Sequence, residues 1–242
     1  MCGESEGMRI MLLAFAAAAA SAATLAPAAL AAERNYSVTS FDRIRLDGPY
    51  RVGLVTSVAP FARASGSQEA LDGVSVEVQG RTLIIRANRS AWGGFPGRQV
   101  GPVEINVGTH DLNAAYISGP GGLAIDRVRG LSFELSIQGS GAATIANVAV
   151  DQLKVGISGA ASATLAGNSP KMTAIVRGAS LFDASALIAK DVVVGVEGPA
   201  IVKVSASSSA KIDANGTGTI DVAGGGACTV KAIGSAVVSG CR

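Results

Sequence analysis

The 242-residue chain has one histidine, three cysteines and one tryptophan, and charged residues make up only 16% of it. Each shortage removes a class of chemistry. One histidine cannot build a three-histidine metal site, and a Ser/His/Asp triad would have to be assembled around His110 alone. The His110-Asp111 pair sits between an irregular region and the first clear repeat, where a hydrogen-bonded turn is its ordinary use. A formal net charge of +2 is too even for a nucleic-acid binder, which concentrates Lys and Arg on one face. No cofactor and no metal are expected.

Long apolar runs are also missing after the first few dozen residues. Met8 and Arg9 precede an apolar stretch from Ile10 to Ala23, and Ala29-Leu30-Ala31 then places small residues at alternate positions, as signal peptidase requires. Residues 1–32 therefore read as an export signal, with Met8 a better start than the acidic stretch before it. The alternative, a membrane-spanning helix, needs about 20 apolar residues. After signal removal no stable membrane span is expected, and the protein is placed in the periplasm, at the cell surface or in the medium. Cys2 lies in the discarded head, so Cys228 and Cys241 remain as an even pair in an oxidising compartment and are expected to bond.

Glycine is abundant instead. Gly119, Gly139, Gly159, Gly178, Gly198, Gly216 and Gly234 mark a module of 18 to 20 residues. Six, four and two residues before each glycine from Gly139 onward the occupants are almost uniformly apolar, as in Leu153, Val155 and Ile157 or Val192, Val194 and Val196. Four and six residues after it the pattern resumes, as in Ala143 and Ile145 or Val202 and Val204. Alternation at period two describes strands with one buried face and excludes helix. So short a unit cannot bury its own face, and modules must stack about 4.8 Å apart to share a core. Two residues after the glycine stand Gly121, Gly141, Ala161, Ser180, Ala200, Gly218 and Ala236, all small, which marks a tight corner. The fold class is all-β, a single-stranded parallel β-helix with 18–20 residue rungs. Cys228 and Cys241 fall on opposite arms of its last rung.

Residues 33–109 are less regular but also strand-like, with Phe41, Ile44 and Leu46, then Val74, Val76 and Val78, and Leu83 and Ile85 in short runs between turn formers. Gly48 is a looser version of the repeat glycine. This part reads as an N-terminal β cap and opening rungs of one solenoid domain covering 33–242, with regular repeats over 110–242.

The string Phe41-Asp42-Arg43-Ile44-Arg45-Leu46-Asp47-Gly48, the strands at Val74–Val78 and Leu83–Arg86, and the corners Ser118-Gly119-Pro120-Gly121, Gln138-Gly139-Ser140-Gly141 and Ser158-Gly159-Ala160-Ala161 together resemble the bacterial family described as "putative auto-transporter adhesin, head GIN domain". The resemblance spans nearly the whole chain after the signal. It implies an exported, right-handed β-helix of unknown molecular function with no catalytic residues to transfer. Corners such as Arg177-Gly178-Ala179-Ser180 depart from the Ser-Gly-Ser-Gly form.

Two constellations are candidates for function. The segment Asn88–Arg98 holds Arg89, Trp92, Phe95 and Arg98 among Gly and Pro that forbid a regular strand. Aromatics with Arg on a loop stack on sugars or anchor protein partners, whereas rings folded back would plug an end of the helix. The second is an outer-face column five residues after the glycine that includes Asp183, Lys203 and Asp221. Opposite charges one rung apart align rungs, and Glu134 with Lys154 and Asp213 with Lys231 repeat the pattern. The same column would have to serve a polysaccharide lyase or hydrolase, with Asp183 and Asp221 near 10 Å apart by strand spacing. The reading that results is a non-catalytic exported scaffold recognising a cell-surface glycan or protein, with a carbohydrate-active enzyme as the alternative.

Overall fold

The computed structural model describes residues 32–88 and 101–241. Residues 1–31 of the expected signal, and Arg89, Trp92, Phe95 and Arg98, lie outside the described residues. The described residues are 73% strand and 3% helix, wound into a parallel β-solenoid of about six turns. All-β stacking of short glycine-centred modules is therefore the architecture.

The N-terminal part does not stack in chain order. After β1 (Ala32–Tyr36), β2 (Arg43–Asp47) and β3 (Arg51–Thr56) form one rung around Gly48. The chain then leaves through β4 (Phe61–Gly66), a five-residue helix α1 (Gln68–Asp72) and β5 (Val74–Gln79). It returns as β6 (Thr82–Ala87) and β7 (Glu104–Thr109), which pair in parallel with β2 and β3 on the side away from the repeats. Antiparallel strands finish the end: β5 pairs with β6, β4 with β7, and β1 with β4. Leu71 and Ala70 of α1 are fully covered there, and the Ser67 side chain caps α1 by accepting from the Ala70 N–H at 3.1 Å. Antiparallel pairing and a capped helix are means of ending a sheet without leaving a flat open edge.

On the other side, β8 (Ala114–Ser118) and β9 (Gly122–Ile125) pair with β2 and β3 and begin the regular stack. It continues through β10 (Val128–Gly139), β11 (Ala142–Gly159), β12 (Ser162–Gly178), β13 (Leu181–Glu197) and β14 (Ile201–Gly216) to β15 (Thr219–Ala223), β16 (Ala227–Gly234) and β17 (Val237–Ser239). Each turn has three faces. The first ends at the glycine, the second begins just after it, and a third bends between them.

The inward columns before and after the glycines are buried as the alternation requires, including Phe133, Leu135 and Ile137 and, after the corners, Phe182 and Val202. The third face adds Val128, Val148, Val150, Leu187, Ala189 and Ala206 to the same core. Rungs of unequal length are accommodated away from the first face: register shifts fall between Ile145 and Val148, between Thr164 and Ala166, and within Ala184–Asp191.

The corners explain the glycines. Gly159 has φ +120°, and a Cβ there would also run into the Gly139 carbonyl oxygen of the rung below. In the small column Ser180 replaces Gly or Ala and puts its hydroxyl to use: it donates to Gly159 O at 3.0 Å and accepts from Ala161 N at 3.4 Å, tying two rungs. At the far end Cys228 and Cys241 are bonded, with Cα atoms 5.5 Å apart.

Candidate functional site

The outer surface of the first face carries a trough near the capped end. Its floor is low because small residues, Ala114, Ser118, Ser136 and Gly156, occupy outward positions on β8, β10 and β11. Tyr116 rises from this floor. Of the three aromatic residues in the repeats, Phe133 and Phe182 are inside and Tyr116 alone faces out, half-buried. In register with it run Ile84 and Arg45 on one side and Ser136 and Gly156 on the other. The neighbouring column runs Thr82, Arg43, Ala114, Glu134 and Lys154.

Two open depressions flank the ring. One of about 370 Å³ is bounded by Arg43, Arg45, Asp47, Ser136 and Gln138, and one of about 410 Å³ by Arg43, Glu134, Gln152 and Lys154. Tyr116 and Arg43 border both. Partial burial pushes the Tyr116 phenol up, and Glu134 beside it adds to the shift, so the hydroxyl stays a neutral donor. The Arg45 Nε is held by Asp47 at 2.9 Å, whereas the nearest carboxylate oxygen to the Arg43 Nε, on Asp42, is 4.0 Å away. Among the described residues no carboxylate comes within 4.0 Å of Lys154. Parallel pairing thus gathers planar polar groups, cations and one ring onto a rigid floor.

The Asp183, Lys203 and Asp221 column is stacked in register on the second face and continues to Ser239. The expected pairing of Lys203 with both aspartates is absent: no Lys203 ion pair occurs among the described residues. Asp183 turns to Ser185 instead, accepting from its Oγ at 2.6 Å and its N–H at 3.0 Å. These hydrogen bonds, ahead of the more distant Lys203 charge, hold the Asp183 carboxyl below the usual carboxylate range. Asp221 accepts from the Ser239 hydroxyl at 3.2 Å. A carboxylate so held is a poor general acid.

His110 lies at a cleft of about 300 Å³ with Asp42, Arg81, Thr109 and Asp111. Its backbone carbonyl accepts from Ser57 N at 3.0 Å. Asp42 in the same cleft is a staple, its Oδ2 taking Arg81 at 2.7 Å and Asn113 at 3.1 Å, which joins the starts of β2, β6 and β8. Among the described residues no group of three or more His, Cys, Asp or Glu could hold a metal ion, and no helix is long and apolar enough to cross a membrane.

Sequence reasoning placed Glu134 and Lys154 one rung apart but missed Arg43, Arg45 and Tyr116 as a group. The available signal was Tyr116 itself, the one ring at an outward position of the repeat. The arginines could not be joined to it, because β2 and β8 are neighbours only through the out-of-order stacking of the cap.

Solved structures share this architecture. A "putative adhesin" from Bacteroides fragilis aligns with a TM-score of 0.79 at 19% identity, over 88% of this chain and 97% of that one. A "putative adhesin" from Parabacteroides merdae aligns at 0.63 and 18%, over 87% and 96%. A "putative lipid binding protein" from Parabacteroides distasonis aligns at 0.65 and 18%, over 87% and 96%. Identities this low carry the fold alone. The family is carried by the sequence: the chain belongs to the family described as "putative auto-transporter adhesin, head GIN domain", whose profile matches residues 40–226. A search of the curated proteins found no match. The adhesin family and the Cys228–Cys241 bond point to an exported protein.

Proposed function

We propose that this protein is a non-catalytic recognition module that acts in the periplasm or at the cell surface and binds a glycan or protein through its outer faces. The observation that carries this reading is the trough around Tyr116, where two depressions share one ring and Arg43, whose Nε is 4.0 Å from the Asp42 carboxylate, on a rigid sheet. Ring platforms and Arg are the residue types that dominate contact energy at recognition surfaces. Arg89, Trp92, Phe95 and Arg98 supply the same chemistry in the segment between β6 and β7, and are proposed as a second contact.

Binding of the exported form to a glycan array and to surface proteins, compared with Tyr116→Ala and with the Trp92→Ala/Phe95→Ala pair, tests the reading. Loss of binding with an unchanged melting temperature is the expected result for each. The enzymatic alternative rests on the aligned Asp183, Lys203 and Asp221 column. A triple alanine variant assayed on acidic and neutral polysaccharides separates the two: turnover by the parent that the variant lacks would replace recognition with catalysis.

A further inference from the structure

The cations of the trough outnumber the anions free to answer them. Arg43, Arg45 and Lys154 face Asp47 and Glu134. Asp47 is committed to the Arg45 Nε, and Glu134 lies against the Tyr116 hydroxyl. The side chains of Arg43 and Arg45 are 58% and 57% exposed, so their terminal nitrogens are open to a ligand. Desolvating Arg43 and Lys154, which among the described residues have no carboxylate closer than 4.0 Å, around a ring would be unfavourable for a neutral ligand and favourable for one that brings its own anions.

Guanidinium forks match carboxylates in bidentate geometry, and a half-buried phenol offers a flat apolar face beside them. From Thr82 to Lys154 the column crosses five strands, about 19 Å at parallel spacing, long enough for a short oligosaccharide rather than one sugar. Nucleic acid is a poorer fit, since successive bases need successive rings and the trough has one.

We propose that the trough binds an acidic saccharide, a glycan chain bearing carboxylate groups, with Tyr116 as the platform for a sugar ring and Arg43 and Arg45 as the carboxylate ligands. This rests on the recognition reading above and names its ligand class.

The test is titration calorimetry of the full exported chain with oligogalacturonate, oligoglucuronate, oligomannuronate and a sialylated oligosaccharide, each beside its carboxyl-esterified form, with single-stranded DNA as a polyanion control. At least one acid should bind, its ester about tenfold or more weaker. Arg43→Gln and Arg45→Gln should each weaken the acid about tenfold without altering the ester, and added salt should weaken it further. Equal binding of acid and ester, abolished by Tyr116→Ala, would overturn the acidic ligand and leave glycan recognition standing. No binding across the panel, or binding indifferent to Tyr116→Ala and both arginine variants, would overturn the assignment of this trough. Tighter binding of DNA than of every saccharide would overturn it in favour of a nucleic acid.

Discussion

At the scale of single residues, two outward or corner positions that look alike in composition are physically opposite. Gly159 sits at φ +120° with the Gly139 carbonyl where a Cβ would go, so Gly159→Ala meets both strain and collision. Gly195 faces outward on β13 with open space around the place of its Cβ and no positive φ. Gly159→Ala is therefore expected to cost about 2–3 kcal/mol or more, and Gly195→Ala to be neutral or stabilising by up to about 1 kcal/mol. Urea unfolding of the two variants beside the parent measures the difference. Equal effects would mean that the corner column tolerates side chains and that its glycines have another cause. Ser180 shows the limit of tolerance, since it fits only by bonding to Gly159 O and Ala161 N.

At the scale of the rung, what was legible in the sequence is what obeys strict alternation. Leu153, Val155 and Ile157 announce an inward column because strand side chains change face at every step, and all three are buried. The third face was not legible. Its inward places are filled by residues as different as Val148, Ser169, Leu187 and Ala206, and the register slips there from one turn to the next. The antiparallel pairings of the cap leave no periodic trace either. Charge columns were legible as positions but not as bonds: Lys203 lies in register with Asp183, yet the aspartate is satisfied by Ser185.

The same distinction predicts where length can change. Deleting Asn147, beside the shift between Ile145 and Val148, should lower the melting temperature far less than deleting Gly156. Loss of one residue from the first face turns Leu153 and Val155 or their successors outward, exposing core side chains worth about 1.5–3 kcal/mol each. Thermal melts followed by circular dichroism at the strand band check this. Similar losses for both deletions would contradict the third face as the place where rung length is absorbed.

At the scale of the whole molecule, stability is arranged along one axis, because each turn of a solenoid touches only its neighbours. The two described ends differ. At one, β1, β4, β5 and α1 cover the core. At the other, β16 and β17 stack on β14 and β15 by one side only, and Val230 and Val237 are exposed at 41% and 58%. The Cys228–Cys241 bond closes a loop with a sequence separation of 13 across that rung, for which chain entropy gives about 3 kcal/mol. Because coupling is local, reduction should not weaken the molecule evenly. Amide hydrogen exchange should rise by orders of magnitude in β16 and β17, less in β14 and β15, and not measurably in β11 and β12 or in the strands under the cap. Exchange measured by mass spectrometry on reduced and oxidised protein reads this gradient directly. A uniform rise through β11 and β12 would show instead that the solenoid unfolds as one cooperative unit. The trough around Tyr116, built on β2, β8, β10 and β11, would then share the fate of the last rung rather than being insulated from it.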